Sequence, residues 1–288
     1  MLVTGAETAL GRAAVRALRR TGGEVRVYLD AEVAGDAEDF RRLGCKTAVG
    51  TLDDEGRLEL ALEQVHTVVH CWGGPLTAPD DELDGLAGVL SAALGAGCRR
   101  LVWASHLGAD DPGGVAYLQA CADAEALLAD ATLESIVVRR ALTYGPGDEL
   151  TRRLAAGAAV RPEACHAPLA VADLAAALAQ ADALDRSATR NDLALVIELV
   201  GPQVRTLAEV VTALRAAGFS DGRPTPLPAT TAALYDRDLV GGPGALGRDG
   251  MTLEQGTATL RSAWRHESFP LATSAGYLAD AIAPRNHA

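Results

Sequence analysis

Residues 1–30, MLVTGAETALGRAAVRALRRTGGEVRVYLD, decide the fold. Met1 to Ala6 is a short apolar run ending in Thr4-Gly5. A helical stretch follows, and a second apolar run ends on Asp30. The order is strand, tight glycine turn, helix, strand, acid. Within TGAETALG, Gly5 and Gly11 stand six residues apart. Gly5 lets the chain turn sharply, and Gly11 lets the helix approach the sheet. Leu10, Ala14, Ala17 and Leu18 fall on one helical face, as a helix packed on a sheet requires. Such a turn aims backbone amides and a helix N-terminus at one spot, which suits a pyrophosphate. Asp30, nineteen residues after Gly11, is placed to accept from an adenosine ribose. Thr8 stands where the middle glycine of the fingerprint would fall, so a βα turn without a ligand is the alternative. The completeness of the unit favours a dinucleotide.

The alternation continues outward. KTAVG reads as a third strand, and Asp53-Asp54 open a helix with Leu58, Leu62 and Val65 on one face. HTVVHCWGG is a fourth strand ending in Gly73-Gly74. Asp80 or Asp81 is expected to cap a helix carrying Leu83, Leu86, Leu90 and Leu94, closed by Gly97. RRLVWAS is a fifth strand, a helix runs from about Ala116 to Leu128, and ESIVVRRALTYG is a sixth strand. Strands separated by helices predict an α/β fold, a doubly wound parallel sheet of Rossmann type. Ligands then bind outside the carboxyl ends of the strands. Candidate cofactor contacts are therefore Gly5, Glu7, Thr8, Ala9, Leu10, Gly11 and Arg12 in the turn. The later loops add Asp30, Thr51, Leu52, Cys71, Trp72, Gly73, Ala141 and Leu142.

Residues 1–150 form the expected core, with returns to the sheet near 166–172 and 194–201. Residues 151–288 form mainly a smaller substrate-binding lobe. Asp173 is expected to begin a helix, and Thr206 to cap another that ends at Gly218. Residues 220–256 are rich in Gly, Pro and Asp and read as a surface loop or a lid over substrate. TLEQGTATLRSAW reads as a final helix.

Bulk properties narrow the function. A chain of 288 residues buries roughly three quarters of its unfolded surface. The net charge of −12 argues against nucleic acid and anionic membrane surfaces as partners. Five scattered cysteines without CxxC spacing argue against a disulfide framework or a structural zinc site, and the histidines show no ligand spacing, so no metal is expected. No apolar run reaches membrane-spanning length, and the first residues already read as a strand, so a cytoplasmic protein is expected.

TGAETALG, GTLDD, VVHCWGG, LVWASHLGAD, Tyr117 and Glu125 in YLQACADAEALL, and RRALTYGPGD occur in an order that resembles the short-chain dehydrogenase/reductase superfamily, in its extended and atypical branches. The resemblance covers most of residues 1–217. It implies NAD(P) in the first lobe and a small-molecule pocket under the second. It also implies a Ser or Thr after the fifth strand and a Tyr-x-x-x-Lys helix, the lysine lowering the pKa of the tyrosine acid. Tyr117 stands at the tyrosine position, but Cys121 replaces the lysine and removes a fixed charge. Thr51 stands where many relatives carry an acid near the adenine, and Arg140 where a proline is common. Ser105 or His106 falls at the Ser/Thr position. His106, Ser105 and Tyr117 are thus the candidate catalytic residues, His106 as a proton donor or carbonyl polariser.

The implied activity is reduction of a small-molecule carbonyl, in the manner of angucyclinone-type aromatic polyketide ketoreductases that lack the usual triad. A redox-silent regulator similar to NmrA-like proteins and a nucleotide-sugar epimerase or dehydratase are the alternatives. The reaction class favours NADP, with Arg12 reaching a 2′-phosphate, whereas Asp30 favours NAD. Arg26 is expected to point away. A homodimer through the helices after the fourth and fifth strands is compatible with the sequence.

Overall fold

A computed structural model describes residues 1–182, 194–219, 225–242 and 245–247. The first half alternates as read: β1 (Leu2–Thr4), α1 (Ala9–Arg20), β2 (Arg26–Leu29), α2 (Ala37–Arg42), β3 (Lys46–Val49), α3 (Glu55–Leu62), β4 (Thr67–His70), α4 (Pro79–Gly95), β5 (Arg100–Trp103), α5 (Ala116–Asp130) and β6 (Glu134–Arg140). Then come β7 (Thr143–Tyr144), α6 (Glu149–Ala155), β8 (Cys165–His166), β9 (Leu169–Ala170), α7 (Val171–Ala181), β10 (Ala194–Leu199), β11 (Arg205–Thr206), α8 (Leu207–Ala216) and α9 (Ala229–Tyr235).

The main sheet has seven parallel strands in the order β10-β6-β5-β4-β1-β2-β3. Helices α1 and α7 pack together, and α3, α4 and α5 pack in succession. A parallel sheet covered on both faces needs apolar side chains on both. Leu2, Val3, Val27, Val68, Val69, Leu101, Val102, Ile136 and Val137 meet that need and are fully buried. The strand order reverses between β1 and β4, which opens a crevice at their carboxyl ends. No helix among the described residues is long and apolar enough to cross a membrane.

Several local expectations change. Pro79, with its fixed φ, takes the first helical position of α4 after Ala78, so Asp80 and Asp81 lie in the first turn and neither is the cap. Leu86 and Leu90 are buried, whereas Leu94 is exposed. α7 begins at Val171, with Asp173 in its first turn. The return expected near 166–172 does not reach the main sheet. β8 pairs with β11 and β9 with β7, in two separate two-stranded ladders, and Pro168 lies between β8 and β9. The return at 194–201 does reach it, because β10 runs in full register with β6. Thr206 caps α8 through a capping box with Glu209, and Gly218, with φ of +80°, ends it. The stretch 220–256 contains α9, a short helix after Pro228 hidden in a Gly/Pro-rich background. The expected final helix, TLEQGTATLRSAW, lies outside the described residues.

Candidate functional site

The glycine turn is built by close approach. At Gly5, with φ of +63°, a Cβ would stand 2.3 Å from the Trp72 amide nitrogen; at Gly11 it would stand 2.0 Å from the Gly5 carbonyl oxygen. Neither position admits a side chain. Thr8 caps α1: its hydroxyl accepts from the Gly11 amide at 2.9 Å and lies 2.8 Å from the Gly5 carbonyl and 3.1 Å from that of Cys71. The threonine thus ties the turn to the end of β4 where a glycine would leave space. The amides of Ala9 and Leu10 have no acceptor among the described residues. Two orphan donors at a helix N-terminus, over a cradle that a Cβ would fill, fit the diphosphate of a dinucleotide.

Leu52 and Trp72 both lie against Gly85 of α4, and the Tyr28 hydroxyl donates to the Thr51 carbonyl at 3.1 Å. Asp30 accepts from the Glu32 amide at 2.8 Å. Burial raises the Glu7 carboxyl, with the charge of Asp30 adding to it. Arg12 pairs with Asp36, donates to the Glu7 carbonyl at 3.2 Å and lies over the Phe40 ring. Arg26 turns away, donating to the Ala61 carbonyl at the end of α3. Gly73, with φ of +88°, is buttressed by Glu82, whose carboxylate accepts from the Gly74 amide at 2.7 Å. Ala141 and Leu142 are buried; the amide of Ala141 bonds to Leu199 and the carbonyl of Leu142 to Leu169, so both serve the strand connections.

Beyond β5 the three candidate catalytic residues separate. Ser105 is fully buried, and its hydroxyl donates to Glu125 at 2.6 Å. Glu125 in turn receives Arg139 in a bidentate pair, at 2.7–3.1 Å. Ser105 therefore belongs to a buried network with the Glu125–Arg139 ion pair. His106 and Tyr117 do meet, ring to ring at 6.1 Å, edge-on. Nδ1 of His106 lies 3.0 Å from the Leu107 carbonyl, so Nδ1 carries the proton and Nε2 is left as an acceptor. Burial lowers His106 to about 3, so the charged imidazolium expected as a donor does not form at neutral pH. The Tyr117 hydroxyl is buried without a hydrogen-bond partner, and burial pushes it well above its ordinary value.

Three neighbours were not among the candidate site residues. Tyr235 of α9 lies with its hydroxyl 3.4 Å from Nε2 of His106, and its carbonyl accepts from Nε2 of His166. Arg140 and Glu82 stand near Tyr117, Glu82 raised to about 7 by burial. Only Arg140, at the end of β6 where a proline is common, gave any signal in the sequence. Among the described residues no cluster of His, Cys, Asp and Glu could hold a metal ion.

A doubly wound sheet with a glycine cradle at its switch point defines a dinucleotide-binding protein. The NAD(P)H-binding family model matches residues 5–183, and the chain belongs to that family. No curated protein matches the sequence. Solved structures share the fold. A nucleoside-diphosphate-sugar epimerase from Pseudomonas aeruginosa is 15% identical at a TM-score of 0.67, covering 98% of this chain and 95% of its own. A dTDP-glucose 4,6-dehydratase from Streptomyces venezuelae, with NAD bound, is 18% identical at 0.66, with the same coverage of 98% and 95%. A UDP-glucose 4-epimerase from Thermotoga maritima is 18% identical at 0.61, over 90% of this chain and 99% of its own.

Proposed function

We propose that the chain is an atypical NAD(P)H-dependent reductase of a carbonyl group in a small molecule. The observation that supports this is the meeting of His106, Tyr117 and Tyr235 at the carboxyl end of the sheet, beside a cradle fit for a dinucleotide. The bound nicotinamide supplies the hydride. Tyr117, protonated throughout the working pH range, offers its unpartnered hydroxyl to the carbonyl oxygen and is the proton source for the alkoxide. Neutral His106 orients Tyr235 through Nε2. All three rings are buried as they stand, so the Tyr117 hydroxyl meets a substrate only when the packing of Tyr235 over the site opens. The ribose corner supports NAD(H): Asp30 follows β2, and Arg12 is already paired with Asp36, so a 2′-phosphate must compete for that cation. That runs against the NADP preference of the implied reaction class.

The test is NADH oxidation with polycyclic aromatic ketones, the substrate class of the resemblance, and with simpler aryl ketones. Transfer of label from [4-²H]NADH to the product carbinol supports the reading; absence of substrate-dependent oxidation with every ketone sinks it. Incubation with NAD and UDP-glucose or dTDP-glucose, read as epimerised or dehydrated sugar nucleotide, tests the sugar-nucleotide alternative, which Cys121 disfavours.

One observation favours a second reading. Tyr235 covers His106 and leaves both it and Tyr117 fully buried. A dinucleotide-binding regulator without turnover would keep such a closed site and signal to a protein partner. Tight NADH binding without label transfer selects that reading.

A further inference from the structure

Arg140, the last residue of β6, is the unusual group in this site. Its backbone is fixed on both sides: the amide donates to Ser105 at 3.1 Å and the carbonyl accepts from Leu107 at 3.0 Å. Its side chain reaches the loop after β4, where a Cβ on Gly74 would stand 3.1 Å from one terminal nitrogen. Among the described residues this guanidinium has no hydrogen-bond acceptor and no ion-pair partner, and its Nε is shielded from solvent. The adjacent Arg139 shows the contrast, with both Glu125 and Asp110 paired to it.

The nearby carboxylates do not answer Arg140. Glu82 is bonded to the Gly74 amide, and Asp148 to the amide and hydroxyl of Thr151 at 2.7 and 2.6 Å. Tyr117 stands near Arg140 with an unpartnered hydroxyl, whereas the Tyr235 hydroxyl already donates to Nε2 of His106. A guanidinium carries five donors in a planar fork that matches a carboxylate. Donors thus converge from Arg140 and Tyr117, and no carboxylate among the described residues pairs with the guanidinium.

We propose that Arg140 receives an anionic oxygen group of the substrate, a carboxylate or an acidic enol or phenol oxygen next to the carbonyl that is reduced. The charge missing at Cys121 is then supplied by Arg140. The substrate is a carbonyl compound with an acidic oxygen, and this part rests on the reductase reading.

Acetate and its neutral isostere acetamide probe the site by calorimetry, with no turnover needed. Wild type is expected to bind acetate at least tenfold tighter than acetamide. Arg140→Gln levels the two, and Arg140→Lys keeps part of the preference. NADH and ADP-ribose affinities stay within twofold in both variants. Equal binding of the two probes by wild type overturns the proposal, as does a preference that survives in Arg140→Gln. A tenfold loss of NADH and ADP-ribose affinity in Arg140→Gln, with acetate displacing NADH, also overturns it, because the occupant is then the cofactor's diphosphate. If Arg140→Gln fails to fold, an acetate-induced shift of the Arg140 Nε–H resonance in wild type decides, and no shift overturns the proposal. Acetate selectivity in a protein that transfers no hydride leaves this inference standing while the reductase reading falls.

Discussion

The Tyr235 hydroxyl lies 3.4 Å from Nε2 of His106, and the two rings meet edge-on at 5.8 Å. Two segments 129 residues apart in sequence thereby close one site. The pair requires an unprotonated Nε2, and burial supplies it by holding His106 at about 3, against 6.5 for an ordinary histidine. A histidine whose native pKa is depressed takes its proton first in the unfolded chain. Stability from this source is therefore present above pH 6.5 and is lost as pH falls toward 3. The loss approaches about 1.4 kcal/mol per pH unit below 6.5. His70, also held at about 3 by burial, acts in the same direction. Glu82, raised to about 7, opposes them, since it binds its proton first in the native state. Urea unfolding of wild type and His106→Gln between pH 7 and 4.5 isolates the histidine. The stability difference between the two should shrink on acidification by about 1.4 kcal/mol per unit. A constant difference would show that His106 titrates normally in the native state.

Ser105 is expected to matter for stability and not for chemistry. Its hydroxyl is one of the groups that satisfy Glu125, together with Arg139. Ser105→Ala removes that bond and should cost about 1–2 kcal/mol in denaturant midpoints. Glu125→Ala leaves a largely buried Arg139 with only the longer pair to the exposed Asp110 and should cost about 3 kcal/mol. Neither change touches the glycine cradle, so NADH affinity of the folded Ser105→Ala protein stays at the wild-type value. A turnover loss of more than tenfold at unchanged stability would return Ser105 to the catalytic set.

The glycine turn gives opposite expectations at two of its positions. Gly11→Ala places a methyl 2.0 Å from the Gly5 carbonyl, and rigid backbone cannot yield there. The change should cost about 1–3 kcal/mol or more, and dinucleotide binding should disappear with it. Thr8→Gly restores the fingerprint glycine and removes the cap, at a cost of only a few tenths of a kcal/mol. Its NADH affinity should match or exceed that of wild type in a fluorescence titration. A large loss would mean that the tie from Thr8 to Cys71 holds the crevice open.

The sheet was legible because each βα unit carries its own local signals. Gly5, Gly11 and Asp30 mark the turn, and apolar runs mark the strands. The site was legible only where it followed those strands. The approach of Tyr235 to His106 depends on α9, whose sequence ATTAALY has no strong pattern and sits among glycines and prolines. The partners of Ser105 are equally long-range, since Glu125 and Arg139 reach it from α5 and β6. The neutrality of His106 follows from burial, which depends on every element around it and on no residue type in its own loop. Cys121 signalled a missing charge, but only the placement of Arg140 beside Gly74 shows where another cation stands.

Cofactor choice turns on Arg12. Its guanidinium is paired with Asp36 and lies over Phe40, with both charged partners about one-third exposed at 33% and 37%. Part of the pair is screened by water, so freeing Arg12 is worth about 1 kcal/mol at most. A second acid, Asp30, remains at the end of β2 in either case. Wild type should therefore bind NADH more tightly than NADPH. Asp36→Asn removes the competitor for Arg12 and one negative charge from the ribose corner. NADPH affinity should rise by about fivefold, while NADH affinity stays constant. Arg12→Gln in the Asp36→Asn background should abolish the gain, which ties it to the guanidinium rather than to lost repulsion alone. The effect should fade in high salt, because the added phosphate meets a partly exposed cation. Tighter NADPH than NADH binding by wild type would show that Arg12 leaves Asp36 when a 2′-phosphate arrives, and the proposed NAD(H) preference would fall.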